Sequence, residues 1–277
     1  MQDYKMSPVL KWAGGKGQLL EALRERMPEE YGCYYEPFIG GAALLFNVVP
    51  EQAVVNDINE QLVNLYRQLK EHTDELIAKI DEYDQVSCDK EHYMEMRARY
   101  NEKIANKEMD VECAALMVWI NKHCFNGLYR VNKKGLFNVP YNNKTNGKSM
   151  DDSNLREIGA FLNDANVKIT CMDFEKICEG VKPGDFVYFD SPYVPESETA
   201  DFTAYAKDGF TMEDHERLAT LYRKLDKLGA KVMLSNNDVP LIHKLYEGFN
   251  IHSLQVKRLI NRNAANRKGM EVIITNY

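Results

Sequence analysis

Four consecutive residues, Asp190-Ser191-Pro192-Tyr193, bring together a carboxylate, a small residue, a rigid turn former and an aromatic ring. They follow the apolar run Phe186-Val187-Tyr188-Phe189, which reads as a buried central strand of an α/β sheet. Proline cannot extend that strand, so the chain must turn at the carboxyl end of the sheet, where open α/β folds bind ligands. Asp190 and the Ser191 carbonyl can accept hydrogen bonds from an amino group, and Tyr193 offers a stacking face. A planar substrate bearing an amine, such as a nucleobase, suits that set. Taken alone, the same four residues also describe an ordinary Asx turn.

Other segments must position this turn. Ser7-Pro8-Val9-Leu10-Lys11-Trp12-Ala13-Gly14-Gly15-Lys16 carries two glycines that let backbone approach a ligand, just before a helix expected over Gln18 to Arg26. It does not match the phosphate-binding G-x-x-x-x-G-K-[ST] pattern, and a packed turn is the competing reading. Tyr34-Tyr35-Glu36-Pro37-Phe38-Ile39-Gly40-Gly41 reads as strand then glycine turn, the arrangement that admits nucleotide-like cofactors. A second strand, Ala53-Val54-Val55-Asn56-Asp57, ends in an acid placed to meet ribose hydroxyls or to cap the helix starting near Asn59. Neither segment carries G-x-G-x-x-G, so a nicotinamide oxidoreductase is poorly supported.

Glu60 to Ile104 has helical apolar spacing and implies two or three helices, and Val111 to Cys124 implies a largely buried one. Between Asn121 and Tyr141 the periodicity breaks, and asparagine, glycine, aromatic and basic residues interleave. Asn132-Lys133-Lys134-Gly135 reads there as a hairpin turn. Such an element is either a solvated surface hairpin or a reader of a DNA groove. In a groove, arginine can bond guanine in bidentate fashion and an aromatic can fill the gap left by an extruded base. Val167 to Cys171, Lys231 to Asn237, Ile251 to Leu259 and Glu271 to Tyr277 read as further strands, the last two antiparallel. Glu213 to Leu228 and Val239 to Tyr246 read as helices. Asp201-Phe202-Thr203-Ala204-Tyr205 is expected to close over the substrate, and Arg262 to Lys268 to form a phosphate-binding loop or a hairpin tip.

The net charge of -7 argues against polyanion binding by the whole surface, but the charges are segregated. Residues 113–150 and 250–270 contain lysines and arginines and no acid, so they form two walls of a groove or two ordinary solvated loops. The six cysteines lack a C-x-x-C pair and the histidines lack ligand spacing, which argues against zinc or a disulfide framework. No metal is expected. No run approaches the ~18 apolar residues of a membrane span, and the first residues lack a signal pattern. A soluble cytoplasmic monomer is the expectation.

In order, K-W-A-G-G-K, E-P-F-x-G-G, the recognition insert, D-S-P-Y and F-T-x-Y resemble the D12 class, or Dam-like, DNA adenine-N6 methyltransferases over nearly the whole chain. Ser191 stands where that family's Asp-Pro-Pro-Tyr has its first proline. The resemblance implies a Rossmann-like mixed sheet for an S-adenosylmethionine-dependent enzyme, with an inserted, mainly helical recognition lobe carrying a β-hairpin. Residues 1–58 and 166–277 would form the catalytic domain and 59–165 the insert. It implies cofactor contacts at Trp12, Ala13, Gly14, Gly15, Lys16, Glu36, Pro37, Phe38, Gly40, Asp57 and Asp190. Asp173 and Phe174 would lie beside the cofactor adenine, unless they form a plain strand-to-helix turn. N-G-L-Y-R followed by G-L-F-N-V-P resembles the segment that reads GATC. By that match Arg130 reads guanine, Leu128 and Pro140 touch base edges, Phe125 is the wedge, and Lys11, Asn126 and Asn132 join the DNA contacts. The implied partners are double-stranded DNA and, functionally, a restriction endonuclease.

Adenine's exocyclic amine is a poor nucleophile, so acceptors that orient its lone pair towards a sulfonium methyl are what the chemistry needs. No cysteine lies in the Asp190–Tyr193 turn to serve as the thiolate of a cytosine-ring methyltransferase. Two alternatives use the same residues: an amino-group methyltransferase acting on RNA or a small molecule, and a catalytically silent sequence-specific DNA-binding protein.

Overall fold

A computed structural model describes residues 4–144, 147–194, 209–257 and 268–277. The Asp201–Tyr205 segment and the arginines of the 262–267 loop lie outside the described residues.

Seven strands are hydrogen-bonded in one mixed sheet. They are β1 (Tyr34–Glu36), β2 (Ala53–Asn56), β3 (Lys168–Thr170), β4 (Phe186–Phe189), β5 (Lys231–Asn237), β6 (Asn250–Lys257) and β7 (Lys268–Thr275). Their order is β3-β2-β1-β4-β5-β7-β6. The β1–β2, β1–β4 and β4–β5 pairs are parallel, while β7 runs antiparallel between β5 and β6. Strand β4 is central, and all four of its residues are buried, which is why its sequence is apolar on both faces.

The chain divides into two compact units. One comprises Lys16–Phe38, Gln52–Val55 and Met172–Tyr277. Its core joins Tyr35, Val187, Phe189, Leu218, Tyr222, Leu225, Val232, Leu234, Val272 and Ile274. Each such side chain, fully buried, contributes roughly 1.5–3 kcal/mol. The helix Met212–Leu228 lays its apolar stripe on that core. It begins at a capping box, in which Thr211 and Asp214 satisfy each other's backbone N–H groups, and ends at Gly229 in the left-handed region.

The other unit comprises Met1–Gly15, Ile39–Glu51 and Asn56–Cys171. Its main helices are Glu60–Glu71, Thr73–Asp84, Lys90–Asn106, Val111–His123 and Asp152–Asp164. Four of them start at an Asn or Asp (Asn59, Asp89, Asp110 and Asp151) whose side chain accepts a first-turn N–H. The helix Val111–His123 has no polar face: ten of its 13 residues are buried.

After this helix the expected hairpin forms only in part. The segment closes through two isolated bridges, Cys124 to Tyr141 and Val131 to Phe137, without an extended ladder. Asn132 Oδ1 accepts from the N–H groups of Lys134 (2.8 Å) and Leu136 (3.2 Å), and Gly135 takes φ +75°. Side-chain bonds and a left-handed turn thus compete with strand pairing at one end, and Pro140, which has no N–H, limits it at the other.

Candidate functional site

Strand β4 delivers Asp190 to the sheet's carboxyl edge. Its side chain keeps 21% of its surface exposed, while Lys16 beside it keeps 5%. Lys16 Nζ lies 2.6 Å from Asp190 Oδ1 and 4.6 Å from the centre of the Tyr193 ring. The Ser235 hydroxyl donates to the same Oδ1 at 3.1 Å, leaving its oxygen to meet the Tyr188 hydroxyl at 2.9 Å. Burial pushes the Asp190 carboxyl above its ordinary range, opposed by the Lys16 ammonium and the Ser235 hydroxyl.

The turn itself is braced from β5 and β7. Asn236 Oδ1 accepts from Val194 N (2.9 Å) and Asn237 N (2.9 Å), and Asn237 Nδ2 donates to the Val194 carbonyl at 2.7 Å. Ser191 is buried and Pro192 exposed. The Tyr193 hydroxyl donates to Glu271 Oε2 at 3.0 Å, so its ring is held at the hydroxyl end. Burial, followed by the charges of Asp190 and Glu271, holds that phenol well above its ordinary value, so it remains a neutral ring.

The same unit places the expected adenine neighbours in an aromatic group. Phe38 packs on Phe174 (5.4 Å), Phe210 (5.6 Å) and Phe189 (6.4 Å). Asp173 caps the short helix behind Phe174 by accepting from Glu175 N at 3.0 Å. Arg217 pairs with Asp173 (2.9 Å) and lies over the Phe174 ring at 4.8 Å. Glu36 is buried and accepts from the Tyr34 hydroxyl at 2.9 Å, and Pro37 follows it out of β1.

In the other unit Asp57 is tied by its carboxylate to backbone. Its Oδ2 accepts from Gly40 N at 3.1 Å and its Oδ1 from Asn59 N at 2.9 Å. The helix cap is Asn59, so the capping alternative for Asp57 falls. Gly40 takes φ +46°, and a Cβ there would sit 3.0 Å from the Trp12 ring. Trp12 in turn stacks on Tyr129 at 5.1 Å and 29°. Ala13, Gly14 and Gly15 are exposed beside it, with Gly14 at φ +80°.

The segment expected to read DNA lies in this unit as well. Phe125 is 50% exposed, and Leu128, Val131 and Pro140 are exposed too. Arg130 is aimed by Asn138, through Nε to Oδ1 at 2.7 Å and Nη2 to the carbonyl at 3.3 Å. Asn126 takes φ +56°. Lys11, Asn121, Phe125 and Asn126 help line one groove of about 1030 Å³, whose lining also includes Lys122, Lys144 and Lys148. Among the described residues no group of three or more His, Cys, Asp or Glu side chains could hold a metal ion. Among them, too, no helix is long and apolar enough to cross a membrane.

Ser235, Asn236, Asn237 and Glu271 were not singled out from the sequence as site residues. A signal was present: three polar residues, Ser235-Asn236-Asn237, end a strand that is otherwise buried. Asn121 carried a similar signal, as an amide inside an apolar helix.

A model of the D12 class N6 adenine-specific DNA methyltransferase family matches residues 12–260. Over 273 residues the chain is 43% identical to the type II methyltransferase M1.LlaDCHI of Lactococcus lactis subsp. cremoris, covering 98% of this chain and 96% of that protein. It is 44% identical over 293 residues to the type II methyltransferase M.MjaIII of Methanocaldococcus jannaschii, with 99% and 100% covered. The DNA adenine methylase of Escherichia coli strain K12 is 30% identical over 276 residues, with 99% and 96% covered.

Proposed function

This chain belongs to the D12 class N6 adenine-specific DNA methyltransferase family, and from that premise we infer that it methylates adenine within GATC in duplex DNA. The observation that carries the reading is Asp190: a partly exposed carboxylate at the tip of a buried strand, oriented by Ser235 and flanked by Tyr193. The inserted loop supports DNA over a small amine, because a small substrate has no use for exposed Phe125, Leu128 and Val131 beside Arg130.

S-adenosylmethionine, when bound, supplies a methyl group on a sulfonium that is already a good leaving group. What each unit offers suits that molecule: in one, the Asp57 carboxylate suits a ribose diol; in the other, Phe38 and Phe174 suit an adenine face and the Lys16 cation suits a carboxylate. Trp12, Ala13, Gly14, Gly15, Glu36, Pro37, Gly40 and Asp173 complete the set we assign to it.

Asp190 and the Ser191 carbonyl accept the two amino hydrogens of the extruded adenine, turning the nitrogen lone pair towards the methyl group. Tyr193 stacks on the base, and Pro192 keeps the turn rigid. S-adenosylmethionine held there would give its methyl group to N6 and leave as the neutral thioether. The amine becomes acidic only as it is methylated, so Asp190 receives its proton late and need not be a strong base. Lys11, Phe125, Asn126, Leu128, Arg130, Asn132 and Pro140 read and open the duplex. Residues 59–165 act as the target-recognition domain, and 1–58 with 166–277 as the catalytic one. The type II relatives favour pairing with a restriction endonuclease, for a cytoplasmic enzyme acting as a monomer.

Incubation with labelled cofactor and duplexes differing at one base tests this reading. GATC should be labelled and its single-base variants should not; equal labelling of scrambled duplexes would refute the site.

A further inference from the structure

Asn121 sits in the last turn of the helix Val111–His123, 7% exposed, and its amide has three partners on two separate segments. Its Oδ1 accepts from Lys11 N at 2.9 Å, and its Nδ2 donates to the Lys11 carbonyl at 3.1 Å and to the Gly127 carbonyl at 2.9 Å. One side chain thus clamps both backbone polar groups of Lys11 and the loop that presents Phe125, Asn126 and Leu128.

A second feature points to the same junction. Gly127 takes φ +64°, and a Cβ there would meet Lys11 Cδ at 2.6 Å and Cβ at 2.8 Å. The stem of Lys11 is therefore pressed onto bare backbone. Neither Asn121 nor Gly127 needs to touch a substrate for this to matter.

We propose that Asn121 is a specificity-determining positioning residue, which fixes Lys11 and the Phe125–Leu128 loop in one register so that both read the same DNA site. The inference rests on the assignment of Lys11 and this loop to DNA contact. Hydrogen bonds to base edges discriminate only when the donor is held in place. Two of the three bonds need an amide donor. An aspartate of the same shape would face the Lys11 and Gly127 carbonyls with a like charge and push the two segments apart.

The test is discrimination resolved by base pair. For the wild type, Lys11→Ala, Asn121→Asp and Gly127→Ala, kcat/KM is measured on the preferred duplex and on each single-base variant of it. Asn121→Asp and Gly127→Ala should each lose about tenfold in discrimination, confined to the base pair that Lys11→Ala also relaxes and to those that the Phe125–Leu128 loop touches. At the base pair of Lys11, the double variant Lys11→Ala with Asn121→Asp should lose no more than Lys11→Ala alone. Cofactor affinity, by calorimetry, should stay within about twofold and shows that each variant is folded. Unchanged discrimination, or a loss spread evenly over all base pairs, would overturn the proposal. Gly127→Ala keeps the test open should Asn121→Asp fail to fold. A wild type that methylates duplex DNA without base preference would instead remove the reading on which this one rests.

Discussion

Lys16 Nζ is 2.6 Å from Asp190 Oδ1 and 4.6 Å from the centre of the Tyr193 ring, so one ammonium covers both the acceptor and the stacking face. An adenine amine that donates to Asp190 must share or displace it. The contact also favours the charged form of this carboxylate against the effect of burial, which gives the ion pair a measurable signature.

Burial raises the Asp190 carboxyl above 3.8, and Lys16 is the largest influence pulling it down. Lys16→Met should therefore move the acid limb of kcat/KM to higher pH at saturating cofactor. A limb that stays in place would separate Asp190 from the pH dependence. The sign for stability follows the raised value: the protonated carboxyl favours the fold below 3.8, and that contribution is lost as pH rises through the shifted value.

Ser235→Ala removes a hydroxyl from Asp190 Oδ1 and leaves the Tyr188 hydroxyl without its partner. A bond to a charged acceptor is worth about 1.5–3 kcal/mol, so kcat should fall roughly 10- to 100-fold. DNA affinity, measured by titration of a labelled duplex, should be unaffected. Activity within twofold of wild type would mean that Ser235 only packs.

Phe125→Ala should leave the thermal midpoint almost unchanged, since half of the side chain is already in solvent. Base extrusion should suffer instead. A 2-aminopurine at the target position would lose its fluorescence increase on binding; an undiminished increase would give the wedge role to another side chain.

His215 is buried at the start of the helix Met212–Leu228, 4.8 Å from the Phe210 ring, and burial pushes its imidazole down to about 4. The neutral ring contributes stability that is full above 6.5 and drains as pH falls through the folded value. The difference amounts to about 3 kcal/mol. His215→Leu should flatten the fall in denaturant midpoint between pH 7 and pH 4, whereas parallel curves for the two proteins would contradict it.

Much of this was legible in local sequence. The apolar run ending in Asp190 announced β4, and helical spacing announced the helices of residues 60–104 and Val111–His123, whereas the helix Asp152–Asp164, started by Asp151, went unread. What stayed hidden was long-range. Ser235 meets Asp190 only because β5 pairs with β4, and Glu271 meets Tyr193 only across 78 residues of chain. The turn from Asn132 to Leu136 was legible in its residue types, and Asn132 N donates to the Leu136 carbonyl across it, but the Asn132 side-chain oxygen takes the N–H groups of Lys134 and Leu136.

The buried helix Val111–His123 has a further bearing on retargeting this scaffold. With ten of 13 residues enclosed, it is a fixed post from which the reading loop emerges one residue later. On the proposed reading, exchange of residues 128–140 for a relative's loop would transplant a new specificity onto an undisturbed mount, since Asn121 and Gly127 keep their clasp. A graft cut inside the post would sacrifice the unit itself.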